Sequence, residues 1–352
     1  MKAALVVLCL AACAAGVAQT PAEALIEAGH WKRARALVDA RFRANPHDAL
    51  ACFLESQIHA AFGDREAPLR LAEQAVALDG SVAKYHRQVA EAVGIAAEHS
   101  GALQQLFLAR RFKKEIDAAL AMDPSDVQAL RDLMEFYLVA PGIAGGDNAK
   151  ARATAVRIAG VNRAQGYSAE ARLAQAQGDR SRAEALLRQA ADAEPRTYKL
   201  RMALAEFYLA PEHPSFAAAE REAGEALKID PGRAAAYAAL ASCYAAGQRW
   251  SDLDAVLASA AREVPDDLSP RYRAAETLVE EDRAPDRAAA YLRAYLAAEP
   301  EGDEPTLAEA HWKLGQAFAK LGRASEAAGE WREALRLDPQ SPAAHDLKRA
   351  GV

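Results

Sequence analysis

Apolar and small residues recur along this chain at helical spacing, and the helical stretches come in pairs of nearly constant length. The clearest pair runs from Ala308 to Pro339 and reads AEAHWKLGQAFAKLGRASEAAGEWREALRLDP. Leu314 and Phe318 are four apart and share one helix face. Gly315 and Ala327 are small where two helices must approach closely, and a larger side chain there would overpack the contact. Gly322 supplies the backbone freedom that a tight turn needs. Pro339 ends the second helix, because it has no N–H to donate and clashes with the preceding turn. The pattern predicts a helix, a short turn and an antiparallel second helix.

The same template slides back along the chain. Pro195, Pro231, Pro265, Pro300 and Pro339 follow one another at 36, 34, 35 and 39 residues. A period near 34 predicts stacked helical hairpins. Tyr237, Leu240, Ala241, Tyr244, Gly247, Leu253, Leu257 and Ala260 fill the template in one unit. Tyr272, Ala275, Val279, Ala288, Leu292 and Tyr295 fill it in the next. Earlier units start from Tyr167 and Leu204, and weaker ones are marked by Gly29 and Gly63. Two units are irregular. The third spans about Val82 to Pro124, with long helices predicted over 82–98 and 102–121. The fourth places helix 126–139 before a glycine-rich loop, Ala140 to Asn148, and a helix from Ala149.

The last unit resembles the tetratricopeptide repeat, whose pattern is W-x2-L-G-x2-Y, then A-x3-F-x2-A, then P. Leu314, Gly315, Phe318, Ala327, Trp331, Ala334 and Pro339 match it, and His311 stands where the family has Trp. The stretch Leu133–Ala151 resembles a segment of bacterial tetratricopeptide proteins that have no assigned activity, and it implies none here. The resemblance covers about residues 21–350. It implies an all-α fold, an alpha-alpha superhelix (a right-handed solenoid) of about 8–9 helix-turn-helix repeats. Residues 19–352 would form one solenoid, with longer repeats at about 82–160 and a polar capping helix at about 342–350.

The resemblance also implies a concave groove lined by the first helix of each repeat. In that phase stand Lys84, Arg87 and Glu91; Arg131 and Glu135; Gln165, Ser168 and Arg172; Lys199 and Glu206; Arg273; and Trp312 and Gln316. The expected function is a non-catalytic scaffold that holds one or more protein partners in this groove. Domains of the family that clamp a peptide C-terminus use Asn with Lys or Arg, but Asn45, Asn148 and Asn162 all lie outside the groove phase. Ala235, Ala238, Ser242 and Ala245 give a small, smooth wall that suits a packed helix better than an extended strand. Two other readings are a small-ligand or enzymatic site within 82–160, near His86, Glu98 and His99, and a self-assembling array. The polar C-terminal helix, with His345, Asp346, Lys348 and Arg349, argues against the array.

Composition changes this picture little. The 352 residues are 51% hydrophobic, and Ala, Leu, Arg and Glu favour helix. The formal net charge of −6 disfavours a nucleic-acid partner. Arg110, Arg111, Lys113 and Lys114 are the one compact basic cluster, a solvated helix face or a contact for an anionic partner or lipid head group. The eight histidines show no metal-binding spacing, there is no Cys-x-x-Cys, and no nucleophile elbow, Walker loop or dinucleotide fingerprint occurs. No cofactor and no catalytic residue is expected.

Met1-Lys2 and the apolar run Ala3–Ala15 read as a signal segment, 1–18, cleaved before Gln19. Leu10-Ala11-Ala12-Cys13 also resembles the bacterial lipobox, with a signal of 1–12 and lipidation at Cys13. The first reading exports the repeats to the periplasm or beyond, and the second tethers them to a membrane by the lipid alone. Cys52 and Cys243 lie several repeats apart and should not meet in an open solenoid.

Overall fold

The computed structural model describes residues 19–98, 100–302 and 305–351. Residues 1–18, read from the sequence as a signal segment, with Cys13 among them, and His99 lie outside the described residues. Among the described residues every regular element is helical, and the helices form antiparallel hairpins in chain order. They are α1 (Pro21–Ala28) with α2 (Trp31–Ala44), and α3 (Ala49–Ala61) with α4 (Ala67–Leu78). Next come α5 (Ala83–Glu98) with α6 (Ala102–Met122), and α7 (Val127–Val139) with α8 (Asn148–Val161), these last two joined through a 3-10 turn, Gly142–Ala144. Then follow α9 (Arg163–Ala176) with α10 (Arg180–Ala193), α11 (Tyr198–Leu209) with α12 (Phe216–Ile229), and α13 (Ala234–Ala246) with α14 (Trp250–Glu263). The chain finishes with α15 (Ser269–Glu280) and α16 (Pro285–Leu296), α17 (Leu307–Lys320) and α18 (Ala324–Leu337), and the single helix α19 (Ala343–Ala350). The all-α superhelix expected from the period is the observed fold.

Local chemistry sets the helix ends. Thr20 and Thr306 each close a capping box with a glutamate three residues on, Glu23 and Glu309. Asp48, Asp126, Asp147, Asn162 and Asp179 accept N–H bonds as N-caps. The turns between repeats share a device that the prolines only hinted at. Asp79, Asp123, Asp230 and Asp338 each accept the backbone N–H two residues on, at 2.9–3.1 Å. A glycine in left-handed geometry makes the turn inside several hairpins, including Gly63, Gly178 and Gly322. After Gly247 the left-handed position falls one residue later, on Gln248, with φ 53°. Gly247 itself is right-handed, and Gln248 stands eight residues after Leu240 as Gly322 stands eight after Leu314, so the turn keeps its place and only the residue type differs.

Small residues set the helix spacing. Ala75, Ala119, Ala190, Ala226, Ala260 and Ala334 are buried at corresponding places in the second helices, where α8 carries the buried Ile158. An ideal Cβ on Gly315 would stand 2.4 Å from the Trp331 ring, so glycine is what lets α17 and α18 close on that indole. Tyr208 and Phe318 are core residues. Tyr137 and Tyr244 are only half-buried, and cations cover their rings: Lys150 lies 5.6 Å from the first and Arg249 4.6 Å from the second. Cys52 and Cys243 are separate buried thiols.

One feature departs from an open solenoid. The superhelix curls until its first hairpin meets the edge of its last repeats. The turn from α1 to α2 docks on the turns that precede α13, α15 and α17. Glu301 is the centre of this seam, with its side chain 2% exposed. Its Oε1 accepts the Lys32 backbone N–H at 2.7 Å and so caps α2, whose own N-cap residue, His30, makes no side-chain cap. Lys32 Nζ lies 3.3 Å from Glu301 Oε2 and donates to the Asp266 and Glu299 carbonyls at 2.6 and 2.8 Å. Arg33 meets Asp266 at 2.6 Å and Arg35 meets Glu299 at 2.8 Å. On the other side the signs reverse: Glu27 takes Lys199 at 3.3 Å, and its carbonyl accepts Arg233 at 2.8 Å. Gly302, with φ 95°, lets the loop pass against the Ala61 carbonyl and the Trp31 ring. Charge complementarity between distant turns therefore closes what nearest-neighbour stacking would leave open.

A buried carboxylate in the second repeat makes a pH prediction. Glu55 of α3 is buried, with His59 Nε2 3.8 Å away. Burial, and then the neighbouring Asp39 carboxylate, push its carboxyl up to about 7. The folded value lies above the unfolded one, so Glu55 favours the fold when protonated. That contribution is complete below the ordinary carboxylate range and is lost as pH rises through about 7. Glu55→Gln should match the wild type in thermal melts at pH 4 and exceed it at pH 8, by about 1–3 kcal/mol. Equal melting at pH 8 would mean that ionised Glu55 is solvated.

Candidate interaction groove

The inner wall of the superhelix is built from the first helix of each hairpin. Two large cavities open along it. One, of about 1210 Å³, is lined by α7, α9 and α11. The other, of about 1120 Å³, lies between the α1–α2 turn and the helices α11, α13 and α15. Tyr198, Met202, Glu206, Ala210 and Ala235 line both, so the two spaces communicate. The closed seam forms one wall of the second.

The residues expected in the groove divide into several sets, and Lys199 belongs to two of them. Arg131, Glu135, Gln165, Ser168, Arg172, Lys199 and Glu206 converge on the first cavity. Arg172 reaches Glu135 at 2.5 Å and Arg131 reaches Gln165 at 3.4 Å, each bridging α7 and α9. Arg273 lines the second cavity, bonded to Glu276 at 2.8 Å. A second set pairs with the chain's own first helix: Lys84 with Glu23 at 2.6 Å, and Lys199, still largely exposed, with Glu27. The last set is covered by the final helix. Trp312 Nε1 and Gln316 Nε2 both donate to Asp346 of α19, at 2.8 and 3.1 Å. Arg87 and Glu91 stand on α5 beyond the first cavity, with Arg87 Nε 3.9 Å from Asp126. Trp31 lines the second cavity and touches the seam.

The wall is electrostatically tense. Glu91 and Glu206 reach solvent, yet protein flanks them on the concave side, and burial pushes both carboxyls up. Asp132 of α7 behaves likewise, with Arg87 opposing the shift. Asp132 adjoins Arg131 and lines the same cavity, so its phase along α7 was readable, although the sequence pattern did not single it out. These carboxylates gain if a cation arrives, while Arg131 and Arg172 offer the opposite sign along the same wall. Glu301 and Lys32 had no sequence signal, because they lie in different repeats far apart in the chain. Among the described residues no cluster of His, Cys, Asp and Glu could hold a metal ion, and no helix is long and apolar enough to cross a membrane.

Comparison with known proteins places this geometry. The tetratricopeptide repeat family matches residues 168–211 and 271–342. No curated protein matches the chain. Among solved structures, the chain is similar to a thermophilic tetratricopeptide-repeat protein of Thermus thermophilus, at 18% identity and a TM-score of 0.47 over 53% of this chain and 95% of that one. It is similar to yeast Tom70 at 12% identity and a TM-score of 0.45, over 92% of this chain and 85% of that one. It is also similar to pilF of Pseudomonas aeruginosa at 16% identity and a TM-score of 0.43, over 64% of this chain and 98% of that one. The two matched stretches are similar to tetratricopeptide repeats, and they belong to the same stack of hairpins that runs through the units between and before them.

Proposed function

We propose that this protein is a non-catalytic scaffold that holds a segment of a partner protein in its concave groove. The observation that carries the reading is the pair of communicating cavities on the inner wall, lined by side chains of both signs. Ala235, Ala238, Ala239 and Ser242 offer the second cavity a wall of short side chains, which suits a partner helix laid against α13. Holding requires no bond to be made or broken, because the wall is built before the partner arrives. The basic start and apolar run at the N-terminus support a place outside the inner membrane, either free after cleavage before Gln19 or tethered through Cys13.

The test is in-cell crosslinking followed by affinity purification and mass spectrometry, comparing the native chain with Arg131→Glu/Arg172→Glu. Both arginines are half-exposed or more, so the variant should keep the helical circular dichroism of the native chain. A partner enriched by the native chain should fall about tenfold or more with the variant. Equal capture by a folded variant removes the groove between α7 and α11 as the site.

A further inference from the structure

The hairpin α5–α6 is longer than its neighbours, and its end stands clear of the stack. In α6 the buried side chains are Ile116, Ala119 and Leu120, all in the second half. The first two turns carry Leu103, 81% exposed, and Phe107, 66% exposed. Large apolar side chains normally find cover, so two of them four residues apart on one exposed face call for an explanation. The same face continues into Arg110 and Lys114, which make no ion pair or hydrogen bond among the described residues. Their neighbours differ: Arg111 is held by Glu73, and Lys113 by Asp117 at 2.5 Å. The 3-10 turn at Gly142–Ala144 packs against α6 and keeps Ile143 82% exposed.

We propose that the tip of α5–α6 docks on an anionic lipid bilayer, with Leu103 and Phe107 entering the acyl boundary and Arg110 and Lys114 meeting the lipid phosphates. Helical rise places Arg110 about 10 Å behind Leu103 along α6, close to the depth at which an interfacial apolar group lies below the head groups. Charge selects the occupant. The chain as a whole is acidic, with a formal net charge of −6, so free cations beside exposed apolar side chains mark a local preference for an anionic surface. One exposed acid at the tip, Glu98, opposes the two free cations. The contact is independent of the groove, which lies on the concave side, so either reading can fail alone.

Hydrogen–deuterium exchange of the full chain with phosphatidylglycerol vesicles tests the proposal, with phosphatidylcholine vesicles as the neutral control. The readout is local, so any anchoring by the N-terminal apolar run does not obscure it. Amides of Gln105–Arg110 should slow by about tenfold or more on anionic vesicles and stay unchanged on neutral ones. Arg110→Gln/Lys114→Gln should weaken this protection by about thirtyfold in lipid concentration. Leu103→Ser/Phe107→Ser should abolish it, with exchange in α9–α18 unchanged as proof of fold. Protection that is equal on neutral vesicles, absent on both, or indifferent to these substitutions overturns the proposal. So does a protein captured through Leu103 and Phe107 by a chain whose tip stays unprotected on anionic vesicles.

Discussion

Lys32→Met should release the first hairpin from the rest of the superhelix. The substitution keeps much of the apolar stem but leaves Glu301 buried without its countercharge. Breaking a buried pair from one side costs about 3–5 kcal/mol, because the remaining ion is stranded. The surrounding pairs cannot replace it. Arg33–Asp266, Arg35–Glu299 and Lys199–Glu27 are all substantially exposed, and such pairs contribute about 0–1 kcal/mol each and weaken with salt. The expected result is exchange of the α1 and α2 amides faster by about a hundredfold or more, with a larger radius of gyration in X-ray scattering. Glu301→Gln added to Lys32→Met should recover part of the loss, since the double variant buries no lone charge. Unchanged exchange over residues 21–44 in Lys32→Met would show that the seam adds nothing to the stack.

Gly166→Val should have the second large effect, by a different route. An ideal Cβ on Gly166 falls 2.4 Å from Ala159 Cβ and 2.5 Å from Ala159 Cα. The obstacle is partly backbone, so no side-chain rotation relieves it, and α8 and α9 must part. Replacing glycine within a helix gains about 1 kcal/mol of propensity at most, and less for valine than for alanine. Overpacking a contact costs about 1–3 kcal/mol and more where the backbone has to move, so the loss outweighs the gain. In a stacked array a weakened interface uncouples the units on its two sides. Denaturant unfolding should therefore split into two transitions. A single transition with an unchanged midpoint would mean that the α8–α9 crossing tolerates a side chain.

These two sites also show where sequence and structure part company. The repeat was legible because its causes are local. Leu314 and Phe318 share a face, Gly315 admits Trp331, and Pro339 stops a helix, all within one unit. The long helices of the third unit were legible for the same reason, from an apolar phase that runs on past the usual turn. Gly166 was not, because its partner Ala159 belongs to the preceding unit and the template carries no glycine there. The turn after α13 carries its glycine one residue early, as Gly247, and leaves the left-handed position to Gln248. Within the groove, Arg131, Glu135, Arg172 and Glu206 share a phase along their helices and line one cavity. Phase could not show that α1 pairs with Lys84 and Lys199, or that α19 takes up Trp312 and Gln316, because both contacts depend on the curvature of the whole stack.

The seam changes the mechanics of the molecule. An ordinary helical-repeat array is a spring: pulled at its ends it lengthens by small bends at every interface, and it frays from either terminus. Joining the first hairpin to the turns before α13, α15 and α17 turns the spring into a ring. Load applied between the halves is then shared by two paths, the chain of hairpins and the bonds around Glu301. Stretching should begin with an abrupt yield at those bonds, followed by the soft extension typical of the open coil. The inner bore is held at one diameter until that yield, and a tension-bearing partner would find it stiff below the threshold and pliant above it.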